Sequence, residues 1–274
     1  MSALVYQFKY TPTEKLPPSD ITVAFILSVM KWQAFCNLQP NIYCFPPNII
    51  SPQVPRKIQE GIQKMLGEVG KILQDYINSL GRDFIEVLIS KGYKIAGPFK
   101  NFEDMTFKEK EQYPLVLSCE TFLIAKFVDK NRFGDSVVYG TYPWGIEYCA
   151  GSYRFEGELL LNVNIKVTLF ESLTKEKMIV KEISIPVQPS FYKYLIYVDE
   201  EIRVDPTTGT RFATLKEAKF LEGDDQRPQV LAKALESIYP LQLDQFSKIF
   251  DPKEIEQAKT DAEKVRKIRG YSEG

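Results

Sequence analysis

The chain has 274 residues, of which 44% are hydrophobic and 26% are charged, an ordinary composition for a globular protein. The 35 lysines and arginines nearly balance the 36 aspartates and glutamates, so no concentrated basic field favours nucleic acid as a partner. The sequence has no histidine, which excludes histidine-based catalytic triads, histidine metal sites and imidazole pH switches. Acid–base catalysis by carboxylates, lysine or tyrosine stays open.

The first part of the chain predicts two strands and an irregular insertion. The stretch ALVYQFKY alternates as a strand, and Ile21 to Met30 is apolar on both faces, as expected of a central strand. The segment 33–55 holds five prolines and no helical period, so residues 33–54 are predicted to be irregular. Its large apolar residues would be costly to leave in water and predict either a partner interface or self-packing: Ile42, Tyr43, Phe45, Ile49 and Ile50.

The four cysteines are not in C-x-x-C spacing, which argues against zinc and thioredoxin-type redox sites. Cys36 and Cys44 are eight residues apart and could close a small disulfide loop. The alternative is that all four cysteines are buried free thiols that behave as small hydrophobic residues. We predict no metal site and no cofactor.

The strongest helix prediction runs from Pro55 to about Ser90. Proline suits the first turn of a helix, and Gly92 fits a cap after its end. The apolar residues recur at steps of three and four and form one stripe: Ile58, Ile62, Met65, Val69, Ile72, Tyr76, Leu80, Phe84 and Val87. Glycines within this helix, including Gly61 and Gly67, are expected to allow close packing against a sheet.

Strands dominate the middle of the chain. GYKIAGPF predicts a short strand and LVLSCETFLIAKFVDK a long one, whereas residues 129–153 are predicted to be an irregular insertion. Leu161 to Leu169 alternates most clearly, and Met178 to Val187 is expected to return antiparallel to it. SFYKYLIYVDEEIRV adds an aromatic strand that ends at the turn DPTTGTR.

The C-terminal part predicts a helical extension over residues 226–270. One helix covers 228–250 and is expected to kink or break at Pro240, and another begins at Asp251-Pro252 and ends before Gly270. Together the elements predict a single α+β domain over residues 1–274. Its core is an antiparallel-rich mixed sheet with one long helix packed on a face and C-terminal helices added.

Basic and aromatic residues within and beside the second insertion form a candidate ligand site. A carboxylate ligand would require a basic, hydrogen-bonding pocket near an aromatic platform, and this part of the chain offers both. The candidate residues are Lys130, Arg132, Tyr142, Trp144, Tyr148 and Arg154. The alternative is that the charged residues solvate a loop while the aromatic rings pack onto the core.

Several phrases resemble one family. They are Tyr10-Thr11-Pro12, VLISKGYKIAG, FKEKEQYPLVLS, FEGELLLNVNIKVTLFESLTKE and FDPKEIEQAKTDAEKVRKIRGY. In this order they resemble the neuraminyllactose-binding haemagglutinin (HpaA-like) family of bacterial outer-membrane lipoproteins. The resemblance implies a non-enzymatic, adhesin-like envelope protein with an α+β sandwich. The family's proposed sialic-acid segment is lysine-rich, whereas the matching VDKNRFGDSVV has only Lys130 and Arg132, which argues against sialylated glycan here.

Three functional hypotheses follow. The first is a non-catalytic, envelope-associated binding or assembly protein that joins an oligomer or surface structure. The second is a glycan-binding adhesin, and the third is an intracellular enzyme that uses carboxylates or tyrosine. No signal peptide and no transmembrane segment is visible. We expect the periplasm or outer membrane if a leader was removed, and the cytoplasm if Met1 is the native start.

Overall fold

The computed structural model describes residues 8–26, 30–37, 56–134, 136–142, 145–221 and 225–271. These residues form an α+β fold with one mixed sheet, one long helix and C-terminal helices, which confirms the predicted fold class. The strands are β1 (Thr22–Ile26), β2 (Met30–Asn37), β3 (Lys94–Phe99), β4 (Leu115–Phe133), β5 (Ser136–Tyr142), β6 (Ile146–Glu171), β7 (Lys177–Ile185), β8 (Ser190–Val204) and β9 (Arg211–Phe220). The helices are α1 (Arg56–Ser90), α2 (Phe107–Gln112), α3 (Arg227–Ile249) and α4 (Pro252–Ile268).

The sheet is built around two long antiparallel strands, β4 and β6. The main path of the sheet is β3-β1-β4-β6-β8-β9, and β2 lies parallel to β4 beyond the end of β1. On the far side of β6, β7 pairs with its second half and β8 with its first half. β5 continues the direction of β4 and pairs with the start of β6. Strand β6 is therefore the central strand of the sheet, paired with β4, β5, β7 and β8.

The two faces of the sheet differ in what covers them. Odd-numbered residues of β6 from Tyr153 to Leu169 pack in one core with α1, α3 and α4, and we call this the helical face. Even-numbered residues of β6 point to the opposite side, which we call the open face. A small second core covers one end of the open face, where Met105 packs on Val116. Further along, the open face exposes Ile124 and Leu160.

Helix α1 follows its predicted stripe closely. The buried residues of the stripe recur at three- and four-residue steps and face the sheet and α3. Gly61 lets the first turns of α1 approach β9, because a Cβ atom there would lie 2.2 Å from the ring of Phe220. Helix α3 continues through Pro240 as one element, so the expected break is absent from this described helix. None of the helices within these ranges is long and apolar enough to cross a membrane.

The first predicted insertion is regular where the structure describes it. Residues 30–37 form β2 and pair in unbroken register with β4, from Met30 opposite Thr121 to Asn37 opposite Val128. The prediction of an irregular segment from residue 33 is therefore wrong for residues 33–37, which precede the first proline of the segment. Cys44 and the proposed interface residues lie outside the described residues: Ile42, Tyr43, Phe45, Ile49 and Ile50. Their interface and the disulfide to Cys36 stay predictions.

The described residues of the second predicted insertion, 129–153, form a β-hairpin, so the expectation of irregular structure is wrong for them. Strand β4 extends to Phe133, β5 covers 136–142, and β6 begins at Ile146. Register shifts between Asp129 and Asn131 and between Val138 and Gly140 break the two-residue period that would have revealed the strands. Strand β9 was not anticipated either. Among the described cysteines, Cys119 is a buried free thiol, and Cys149 is also buried.

Candidate binding surface

Three tyrosines meet on the open face at the end of the sheet formed by β5, the start of β6, the end of β8 and β9. We call this end the distal sheet. The ring of Tyr148 lies 5.6 Å from that of Tyr142 in an edge-on contact and 6.1 Å from that of Tyr139. Tyr139 is 60% exposed and Tyr142 is 51% exposed. Tyr139, Tyr142 and Tyr148, the tyrosine cluster, therefore present large aromatic surface to solvent on a paired β scaffold.

The neighbouring strand β8 supplies carboxylates to this surface. The hydroxyl of Tyr139 donates a 2.9 Å hydrogen bond to Asp199, which raises the pKa of the phenol. Glu201 lies opposite Tyr148 in the register of β6 and β8. It accepts hydrogen bonds from Lys216 at 2.5 Å and from Arg203 at 2.9 Å, which hold its pKa below its usual value. The aromatic surface is thus bordered by paired charges rather than by a single-sign field.

The wider distal sheet repeats this pattern. The ammonium of Lys219 lies 5.2 Å from the ring of Tyr197 and 3.7 Å from a carboxylate oxygen of Glu217. Tyr197 is the register partner of Ser152 on β6 and shares the open face with it. The sequence prediction did not include Tyr139, Tyr197, Asp199 or Glu201. Alternation along the predicted strand SFYKYLIYVDEEIRV already places Tyr197, Asp199 and Glu201 on one face.

The structure brings together only some of the six predicted ligand residues. Tyr142 and Tyr148 touch, whereas Arg132 lies on the helical face, in register with Phe155 and 5.2 Å from the ring of Tyr153. Arg154 shares the open face with Tyr148 but lies six residues along β6, about 20 Å away at the usual rise of a strand. Its guanidinium stacks on Phe133 at 5.1 Å and pairs with Glu156 at 3.2 Å.

The fifth predicted residue, Lys130, lies at the bulge of β4 and forms a 3.4 Å ion pair with Glu158. Trp144 lies outside the described residues. The six residues as a set therefore do not line one pocket in the part of the chain that the structure describes, and the role of Tyr142 and Tyr148 in binding is a proposal.

A cleft of about 380 Å³ lies beside the bulge at Lys130. Phe191, 73% exposed, stands at its rim. The remaining lining residues are Lys130, Asn131, Glu156, Gly157, Glu158, Tyr192 and Lys193. A second, more open cleft of about 500 Å³ separates β7 from α3. Within the described ranges no group of three cysteine, aspartate or glutamate side chains is placed to hold a metal ion.

Partly buried hydrogen bonds join β8 to β4 next to the strands that carry the tyrosine cluster. Tyr192 and Tyr194 on β8 donate to the two oxygens of Asp129 on β4, at 2.8 and 2.7 Å. The ring of Tyr194 stacks on Phe155 and lies 4.2 Å from the guanidinium carbon of Arg227, which is fully buried. These contacts tie β4, β6, β8 and the start of α3 into one unit directly next to the distal sheet.

Comparison with known proteins gives a likeness to solved structures but not to known sequences. No family model and no curated protein sequence matches the chain. Among solved structures, the crystal structure of a neuraminyllactose-binding hemagglutinin homolog from Helicobacter pylori matches over 93% of this chain and 98% of that chain. The sequence identity is 13% and the TM-score is 0.49. Values this low carry no argument about function, and membership of the haemagglutinin family stays a prediction.

Proposed function

We propose that this chain is a non-catalytic binding or assembly protein that engages a protein partner through the tyrosine cluster. One observation carries the proposal: Tyr139 and Tyr142 are more than half exposed on a face held by four paired strands. Tyrosine is enriched in protein interfaces, because its ring supplies contact area at a small entropic cost while its hydroxyl stays hydrogen-bonded. The placement of the protein in the cell envelope rests on the sequence resemblance alone.

The size of this surface sets the expected strength of partner binding. Four strands about 4.8 Å apart, with about 3.3 Å per residue along each, give the distal open face dimensions of roughly 20 Å by 20 Å. A face of these dimensions is smaller than the roughly 800 Å² that each partner buries in a standard stable interface. We therefore expect reversible binding that is strengthened when several copies or neighbouring surfaces act together.

The test is capture of partners by variants of the cluster. The double variant Tyr139→Ser/Tyr142→Ser removes both exposed rings, and Phe191→Ser removes an even more exposed ring that lies outside the cluster. We expect the wild-type chain and the Phe191 variant to retain the same protein from envelope extracts, and the double variant to lose it. Sedimentation of the purified wild-type chain then shows whether the partner is a second copy. Equal retention by all three proteins contradicts the proposal.

A second candidate is a glycan-binding adhesin that uses the same face. The observation in its favour is that hydrogen-bonding groups, Asp199 and Arg203, border aromatic rings that contact one another, as in many sites for small polar ligands. Sialic acid fits poorly, because the described cations near the cluster already pair with carboxylates: Arg203, Lys216 and Lys219. A glycan array probed with wild type and Tyr142→Ala tests this candidate. Loss of a specific glycan signal in the variant supports glycan binding at this face, and unchanged signals contradict it.

The third hypothesis, an enzyme based on carboxylates or tyrosine, gains no specific observation.

A further inference from the structure

Three consecutive carboxylates on β8 are divided between the two faces of the sheet. Asp199 and Glu201 point to the open face, where Tyr139, Lys216 and Arg203 bind them. Glu200 points the other way, towards the helical face. A register shift between β8 and β9 falls between Asp199 and Glu200. The backbone under the tyrosine cluster is therefore also the backbone that holds an inward-facing carboxyl group.

Glu200 is enclosed, and its carboxyl group is incompletely hydrogen-bonded. It is 1% exposed, and its Oε1 atom has no hydrogen-bond partner. Its register neighbours are Cys149 on β6 and Leu215 on β9, neither of which carries a charge that could compensate a carboxylate. The charges that act on it are Arg132, an exposed residue of β4, and Asp199 on its own strand. A carboxylate in such a site is costly, whereas the neutral acid is tolerated.

We infer that Glu200 is a pH-sensitive switch beneath the tyrosine cluster, closed when the carboxyl group is protonated and opened locally when it ionises. In the closed state β8 keeps Asp199 under the hydroxyl of Tyr139. Opening lets the Glu200 carboxylate reach water, and it displaces the neighbouring residues Asp199 and Glu201 from their partners. The inference concerns the regulation of the proposed binding surface and rests on that proposed function.

The direction of the pH effect follows from linkage. Burial, the main cause, raises the pKa of Glu200 from 4.5 to about 7, while Arg132 lowers it and Asp199 raises it further. The closed state therefore holds its proton between pH 4.5 and about 7, where the opened or unfolded state has lost it. The closed state is most stable below pH 4.5. Its stability falls as the pH rises from 4.5 and becomes constant above about pH 7. The opening equilibrium rises about tenfold per pH unit inside this window.

Hydrogen exchange measured on the purified chain tests the switch without any partner. After correction for intrinsic rates, we expect protection of amides in the β8–β9 pairs to fall between pH 5 and 7, by on the order of a hundredfold in total. Glu200→Gln keeps the shape of the neutral acid, so it should show high protection and no such pH dependence. The matched control Glu156→Gln, on the neighbouring strand and ion-paired to Arg154, should retain the wild-type profile.

The outcomes separate the switch from the proposed function. A flat wild-type profile, or a Glu200→Gln profile that follows the wild type, overturns the switch and leaves partner capture by the tyrosine cluster untouched. If Glu200→Gln does not fold, the pH dependence of hydrogen exchange in the wild type alone decides whether the switch exists. Where a partner is captured, wild type should retain more of it at pH 5.5 than at pH 7.5, and Glu200→Gln should retain equal amounts at both.

Discussion

Tyr192 donates a 2.8 Å hydrogen bond to Asp129 although a whole strand, β6, lies between them. The bond is possible because the residue of β6 between them is Gly157. A Cβ atom at Gly157 would lie 2.5 Å from the Tyr192 hydroxyl oxygen and 2.4 Å from the Val128 carbonyl oxygen. The absence of a side chain at one position thus allows a contact between strands that are not neighbours.

We expect Gly157→Ala to lower the free energy of unfolding by about 3 kcal/mol, since it overpacks a buried site and breaks the bond to Asp129. Gly140→Ala is the control, because a Cβ atom there meets only an ordinary 3.6 Å contact with Tyr148. Urea unfolding of both variants measures the difference. Equal midpoints for the two variants would show that the sheet adjusts to the added methyl group.

Two glycines of α1, Gly61 and Gly67, form a matched pair, because their replacement by alanine should change the stability of the protein in opposite directions. Gly61→Ala gains about 1 kcal/mol of helix propensity but drives a methyl group into the Phe220 ring, so we expect a net loss of about 1–2 kcal/mol. Gly67→Ala meets nothing within 4 Å and should gain up to about 1 kcal/mol. Thermal unfolding compares the two proteins. A stabilised Gly61→Ala would mean that Phe220 moves aside at little cost.

Arg266 on α4 fastens this helix to the body of the protein. Its guanidinium donates to Glu171 at 2.6 Å, to the Ser172 hydroxyl at 2.6 Å, and to the carbonyls of Lys110 and Glu111 at 2.6 and 2.8 Å. Because Glu171 is fully buried, Arg266→Ala leaves its carboxylate without its cation and should cost about 3 kcal/mol. Lys264→Ala, which breaks an exposed pair with Asp261, should cost less than about 0.5 kcal/mol. Similar losses would contradict this role of Arg266.

The same ion pair predicts a loss of stability in acid. Burial alone would raise the pKa of Glu171, but hydrogen bonds from Arg266 and from the backbone of Thr174 and Leu173 outweigh it and hold the pKa below 4.5. The stabilisation is therefore present above pH 4.5 and is lost as the pH falls through the lowered pKa. Urea unfolding between pH 3 and 6 should show the wild type and Arg266→Ala converging in acid. A constant gap between them would contradict the prediction.

Sequence periodicity predicted those elements in which burial follows a regular pattern. The stripe of α1 is such a case, because Val69, Tyr76 and Phe84 all pack into one core. The alternation of Leu161, Val163 and Ile165 likewise reflects one covered face of β6. In β5 both faces are partly open, with Val137 70% and Val138 48% exposed, so no alternation marks the strand.

The candidate surface was only partly predictable for a related reason. Neighbours in the chain, such as Arg132 and Tyr142, were expected to share one site, but the pleat places Arg132 on the helical face. Residues distant in the chain supply the charged border instead: Asp199 is 60 positions from its partner Tyr139. Such pairings depend on the register of β6 with β8, which no local pattern encodes.

The bond between Arg266 and Glu171 also sets an order in time. During synthesis, Glu171 leaves the ribosome 95 residues before Arg266, a delay of roughly 5–20 s at usual elongation rates. Throughout that interval the carboxylate at the end of β6 lacks its cation, so this end of the strand is not fully stabilised until α4 has been synthesised.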